Sequence, residues 1–211
     1  MLSLTRKAQS QVISAVIIGG ILVGGISAAY VWGVPLLQKN RDVANIKETI
    51  STFNDLNDAI KAAKTRGSSG EIPISVGSGE LRIDPDNGSI TYTVSTNAAY
   101  VDLEGWTPIN ENDMRGVTEP GHGFQGDDEP GVLVGKAVEL QKDRYQNTYK
   151  LAYRQMKESD SDRYHLIDLE QNGNLDASGG DHSIVVKPGD KETVDMGDKT
   201  LVNHTVLVRI E

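Results

Sequence analysis

No charged residue occurs between Lys7 and Lys39. The stretch from Arg6 to Leu37 reads RKAQSQVISAVIIGGILVGGISAAYVWGVPLL. As a helix, the interval from Val12 to Leu37 would be about 39 Å long at 1.5 Å per residue, which is enough to cross a bilayer. Nothing later in the 211 residues is comparably apolar, and the remainder is rich in Asp, Glu, Gly, Ser and Thr. The expectation is an apolar N-terminal helix carrying a water-soluble domain.

Three readings compete for that stretch. As a secretory signal peptide it would have Arg6 and Lys7 as its basic start and Ser27-Ala28-Ala29 as the cut site, but its apolar run far exceeds the usual core of about 7–15 residues. It also reads as an ordinary membrane anchor. The third reading rests on Arg6-Lys7-Ala8, then the polar Gln9-Ser10-Gln11, then the long apolar run. That order resembles the class III signal of archaeal type IV pilins. The resemblance is close over residues 5–37 and looser in the plan of a continued helix followed by a β-rich head. It implies that a prepilin-type peptidase cuts between Ala8 and Gln9, so that Lys7, Ala8 and Gln9 are the processing residues and the apolar helix stays in the mature protein. Many members of that family carry Glu at the fifth mature position, where this chain has Ile13. No docking contact through such a Glu is therefore implied.

Gly20, Gly24 and Ala28, with Gly19, Gly25 and Ala29 beside them, are spaced four apart. Small residues on one helical face let another helix approach closely, where dispersion and lipid release drive association. The alternative is that glycine is simply commoner in membrane helices than in soluble ones. In a pilin-like filament the apolar helices bundle into the core, and this face would serve assembly.

The rest of the chain is long enough for one domain of about 140 residues. A net charge of −9 counts against a nucleic-acid partner, since phosphate binding needs clustered Lys and Arg. There is no cysteine, so no disulfide framework exists. Arg6 and Lys7 would hold the leader in the cytoplasm by the positive-inside rule and place the head outside, an argument softened by Lys39 and Arg41 at the other flank.

Pro35, with Gly33 before it, predicts a kink or break. Beyond it, Val43, Ile46, Ile50, Phe53, Asn57, Ile60 and Ala63 recur at steps of three and four, which predicts an amphipathic helix to Arg66 whose apolar stripe only Asn57 interrupts. Asp58 and Lys61 can pair across one turn, and Gly67 suits the C-terminal cap. Alternation then takes over at Ile72–Val76, Leu81–Ile83 and Ile90–Val94, with the hairpin signal Asn87-Gly88 between the last two. Similar runs recur at Val132–Leu140, Tyr149–Met156, Tyr164–Leu169, Ser183–Val186 and Leu201–Ile210. Some eight short strands argue for an antiparallel β-sandwich or a partly open barrel. The fold class expected is thus α+β, divided into a leader (1–8), a hydrophobic helix (9–37), an amphipathic helix (38–66) and a β-sandwich head (67–211). Within the head, residues 105–131 form a long Pro- and Gly-rich loop that Trp106 and Phe124 would pin onto the sandwich.

Catalytic patterns are missing. His122, His165, His182 and His204 lack metal-ligand spacing, and neither a phosphate-binding Gly-rich loop nor a Gly-x-Ser-x-Gly elbow occurs. No catalytic residue, metal ligand or cofactor is assigned, and an enzyme is not expected. Asp127-Asp128-Glu129 offers adjacent carboxylates to a hard cation. Asp168 to Asp176 places oxygen side chains at alternate positions as an EF-hand loop does, but Gly179 stands where the bidentate Glu is required, and a hairpin turn at Asn172-Gly173 explains the same residues. Asn87-Gly88-Ser89 and Asn203-His204-Thr205 match the N-glycosylation pattern.

The expected function is a structural subunit of an archaeal type IV pilus-like surface filament, assembling with copies of itself through its N-terminal helix. Its other partners would be the membrane and the prepilin-type peptidase, with no nucleic acid. The alternatives are a monomeric, membrane-anchored extracytoplasmic binding module and a minor pilin.

Overall fold

A computed structural model describes residues 3–99, 101, 103, 105–110, 113–142 and 144–211, with side chains from residue 14 onward. The chain forms two compact units, Met1–Asp42 and Val43–Glu211. Helix α1 (Ser3–Arg66) supplies the described structure of the first unit and opens the second.

In the first unit, of the kink or break expected at Pro35 the break does not occur: the residue lies inside α1. The proline ring holds φ near −65°, already a helical value, so the local cost is the missing N–H and crowding at the carbonyl four residues back. Hydrogen bonds on either side carry the helix through.

In the second unit the predicted stripe is buried. Ile46, Phe53, Leu56, Ile60 and Ala63 form one core with inward side chains of the strands, and Ile50 packs against it half-covered. Asn57, the apparent interruption, is buried too: Tyr153 donates its hydroxyl to Asn57 Oδ1 at 3.2 Å. Gly131 makes room for this pair, since a Cβ there would sit 2.1 Å from Asn57 Oδ1. The Asp58–Lys61 ion pair forms at 3.4 Å, and Gly67, at φ 64°, donates its N–H to the Ala63 carbonyl to close the helix. The head's packing unit therefore begins within the helix at Val43.

Among the described residues twelve strands follow: β1 (Gly70–Ser75), β2 (Glu80–Asp84), β3 (Ser89–Thr96), β4 (Thr107–Pro108), β5 (Gly123–Phe124) and β6 (Gly131–Gln141), then β7 (Arg144–Tyr153), β8 (Met156–Lys157), β9 (Arg163–Gln171), β10 (Asp176–Ser178), β11 (Asp181–Asp195) and β12 (Thr200–Ile210). They make two six-stranded sheets, ordered β1-β11-β12-β9-β8-β5 and β10-β2-β3-β7-β6-β4. The α+β fold with a β-sandwich head stands, and period-2 alternation builds its interior: Leu81 and Ile83, Tyr149 and Leu151, Ile167 and Leu169, Ile184 and Val186, and Val206, Val208 and Ile210 are all buried. The sandwich is not wholly antiparallel. At the middle of the first sheet, β12 runs parallel to β9 from Thr200↔Arg163 to Val208↔Gln171, and β5 runs parallel to β8.

The Asn87-Gly88 hairpin forms between β2 and β3, with Gly88 at φ 53° and its N–H on the Pro85 carbonyl. At Asn172-Gly173 no hairpin forms. The chain leaves β9 in one sheet and enters β10 in the other, with Ile210 N–H bonded to the Asn174 carbonyl and Ile83 N–H to that of Leu175. A turn signal specifies reversal; which sheet edge receives the next strand is decided by the hydrogen-bonding groups left open at that edge.

Candidate functional site

Within residues 14–37 every described side chain is exposed or half-exposed. Ile21 is 68% accessible, Ile26 69%, Tyr30 71% and Trp32 83%. Mean hydropathy reaches 2.0 over an 18-residue window, none of it buried, so this helix is long and apolar enough to cross a membrane. At Gly20 and Gly24 an added Cβ would meet nothing within 4 Å. The small-residue face that includes Ala28 is therefore open. Lys7, Ala8 and Gln9, the expected processing residues, and Ile13 have side chains outside the described residues.

The second feature is the segment 105–131. It contributes β4 to the edge of one sheet and β5 to the edge of the other. Its anchor is Arg154, on the bend between β7 and β8, whose side chain is fully buried. The guanidinium donates from Nε to the Glu129 carbonyl at 3.0 Å, and from Nη1 to the carbonyls of Asp113 and Arg115, both at 3.1 Å. The carboxylates of Asp113 and Asp128 stand 3.8 and 3.9 Å away and offset its charge, while Nη2 has no hydrogen-bond partner among the described residues. A planar fork with five donors can satisfy three carbonyls from separate turns at once.

Arg115 hydrogen-bonds Asp113 and lies 5.4 Å over the Phe124 ring. These bonds, chiefly the one from the Arg115 side chain, hold the Asp113 carboxyl down at about 2. Phe124 does help pin the segment: His122 packs edge-on between Phe124 and Tyr164 of β9, at 5.1 and 5.2 Å. Trp106 is half-buried.

The acidic run Asp127-Asp128-Glu129 is divided among different partners. Asp128 accepts the Phe124 N–H at 2.7 Å, and Glu129 accepts from Lys61 Nζ at 2.8 Å. Asp176, at the end of the EF-hand-like run, pairs with Arg82 at 3.7 Å. Among the described residues no three His, Asp or Glu side chains converge as a cation site.

The two sequons differ in setting. Asn87 is exposed at its turn, but its amide donates to Asp84 Oδ2 at 2.8 Å, and Ser89 at the third position is buried. Asn203 is half-buried in β12, between Glu192 and Leu166 of the flanking strands, and its Oδ1 is buried with no hydrogen-bond partner among the described residues. A glycan could reach Asn87 on the folded surface far more readily than Asn203.

Two of the four histidines are brought together. His165 on β9 and His204 on β12 stack with centroids 5.7 Å apart and ring nitrogens 3.4 Å apart, and the far nitrogen of His165 meets Glu158 Oε1 at 2.9 Å. The hydrogen bond from His165, with that from Ser161, pulls the Glu158 carboxyl below its ordinary value. Nothing in the spacing of residues 165 and 204 signals this, because the parallel pairing of their strands creates it.

No curated protein and no solved structure matches the chain. One family profile does, over residues 7–136, which spans the apolar helix, the core-packing helix and the strands through most of β6. The chain belongs to the family of unknown function DUF7289.

Proposed function

We propose that this protein is a pilin-like structural subunit of an archaeal type IV pilus-like surface filament. The observation that carries the reading is the uncovered apolar segment 14–37, in a chain whose head packs its core from Val43 onward. Leaving so much apolar surface in water is strongly unfavourable at about 25 cal/mol per Å², so the segment requires either lipid or like helices around it. The subunit would enter the membrane as a precursor with Arg6 and Lys7 on the cytoplasmic side, lose residues 1–8 to a prepilin-type peptidase, and exchange lipid for neighbouring helices. Gly20, Gly24 and Ala28 would set how closely those helices approach. Head-to-tail contacts that do not close into a ring yield a filament with the β-rich heads outward.

The first test is N-terminal sequencing and intact-mass analysis of protein from native membrane and shed surface fractions, with electron microscopy of the latter. A start at Gln9 and filaments containing this chain are expected. A start at Met1 in a detergent-soluble monomer would replace this reading with an anchored binding module.

A further inference from the structure

A cavity of about 340 Å³ opens where the end of α1 meets β11 and β12. It is lined by Ala63, Lys64 and Thr65 of the helix, Gly189, Asp190 and Lys191 of β11, and His204 and Thr205 of β12. Its wall is shaped by a bulge. The β11–β12 register runs Pro188↔Val206 and then Lys191↔His204, so Gly189 and Asp190 face Thr205 alone. Glycine is required there, since a Cβ on residue 189 would lie 2.9 Å from Thr205 Cγ2 and 3.0 Å from its carbonyl oxygen. The bulge brings Lys191 beside His204 and across from Lys64.

The cavity gathers Lys64, Lys191 and His204 in a chain whose net charge is −9. Among the described residues seven cations, Lys61, Arg82, Arg115, Arg154, Lys157, Arg163 and Arg209, pair with carboxylates and the others do not. Lys64 and Lys191 belong to none of the ion pairs among the described residues. Asp190, which also lines the cavity, forms an ion pair with neither of them. The groups repel one another: burial, then Lys191, lowers the Lys64 ammonium, and burial, Lys64, Lys191 and His165 together hold the His204 imidazole down at about 4. Behind His204 stands His165, itself tied to Glu158. Two ammonium groups and a nearby imidazole around an open volume, in an otherwise acidic protein, lack one component.

We propose that this cavity binds an oxyanion of the phosphate and sulfate class, held between Lys64 and Lys191, with His204 taking up a proton as the anion enters. The tetrahedral group would accept from both ammoniums and from the imidazolium, with the Thr205 hydroxyl at the same wall. The cavity is larger than one such ion needs, so the anion is either free or the end group of a small ester. The site lies in the head and is independent of how the N-terminal helix is used.

The test uses the full chain in detergent micelles with its histidines isotopically labelled, titrated with inorganic phosphate and, separately, with glucose 6-phosphate up to about 20 mM at pH 6. The His204 ring signals should move to the protonated positions with saturation, while those of His122 and His182 stay still. Lys64→Gln and Lys191→Gln, checked for unchanged thermal unfolding, should each weaken the response about tenfold, as loss of a charge-assisted hydrogen bond does. Asp190→Asn should tighten it. Equal affinities for the two probes assign a free ion, and tighter binding of the ester gives the remaining volume to its sugar. No saturable His204 shift with either probe, or the same response in the lysine variants as in the parent, would overturn the proposal.

Discussion

Residues 14–37 and 43–66 belong to one helix and both carry large apolar side chains, yet these meet opposite fates. In the first, Ile17, Ile21, Ile26 and Trp32 are all at least 55% accessible and the apolar residues surround the helix. In the second, Ile46, Phe53, Leu56 and Ile60 are at most 1% accessible and form a single stripe, while Lys47, Glu48 and Asp55 face water. A stripe is satisfied by one neighbouring layer, and here the sheets supply it. An apolar surface on every side needs an apolar surround. The contrast separates helix that stabilises the head from helix that must be stabilised by something else.

Phe53→Ala and Ile21→Ala test that contrast most directly. The first should cost about 3–5 kcal/mol of head stability in denaturant unfolding of the full chain in micelles, through lost burial and the cavity left behind. The second should leave the same transition within about 0.5 kcal/mol. Equal effects would mean that the two segments are not energetically distinct.

Arg154→Met is expected to rank next. It retains much of the side-chain volume but leaves the carbonyls of Asp113, Arg115 and Glu129 without their donor, at a cost of about 3 kcal/mol. Amide exchange should rise across residues 113–129 and stay unchanged in the β11–β12 pair, which would show this side chain to be the segment's principal anchor.

Acid sharpens the comparison further, because its titrating groups lie in the head. From pH 6.5 down to 4 the unfolded chain binds a proton at His204 that the folded chain resists, so stability falls as pH falls through that window. From about 3.8 down to 2, Asp113 adds a second loss of the same sign. His204→Gln should abolish the upper step and leave the lower one, as read from melting temperature against pH.

Lys61→Met should have the smallest effect. Burial opposes the charge of Lys61, but Glu129 and Asp58 outweigh it and raise its pKa, so the pairs favour the fold at neutral pH and lose their contribution as Lys61 deprotonates at high pH. Both partners are substantially exposed, and the loss should stay under about 1 kcal/mol. A larger value would make the helix-to-segment contact a principal support of the fold.

Much of this fold is written locally. The steps of three and four from Val43 to Ala63, the cap at Gly67 and the alternation in β2, β3, β9 and β12 match the observed burial nearly residue by residue. Asn57 looks like a flaw in the stripe because its partner, the Tyr153 hydroxyl, lies 96 positions away. Arg154 looks like any surface arginine for the same reason: the carbonyls that it binds belong to a segment whose path is set by two short edge strands. At Pro35 the local cost is real but too small to end a helix that continues on both sides, so the break that the sequence allows for does not occur.

By itself, then, the sequence determined the apolar helix, the amphipathic stripe, the strands and most turns, because each depends on periodicity within a few residues. Only the tertiary structure decided the parallel pairing of β9 with β12, the crossing between sheets at Asn172-Gly173, the burial of Arg154, and the meeting of Lys64, Lys191 and His204. These depend on which strands share an edge and how distant charges offset one another once water is excluded, and no local pattern carries that information.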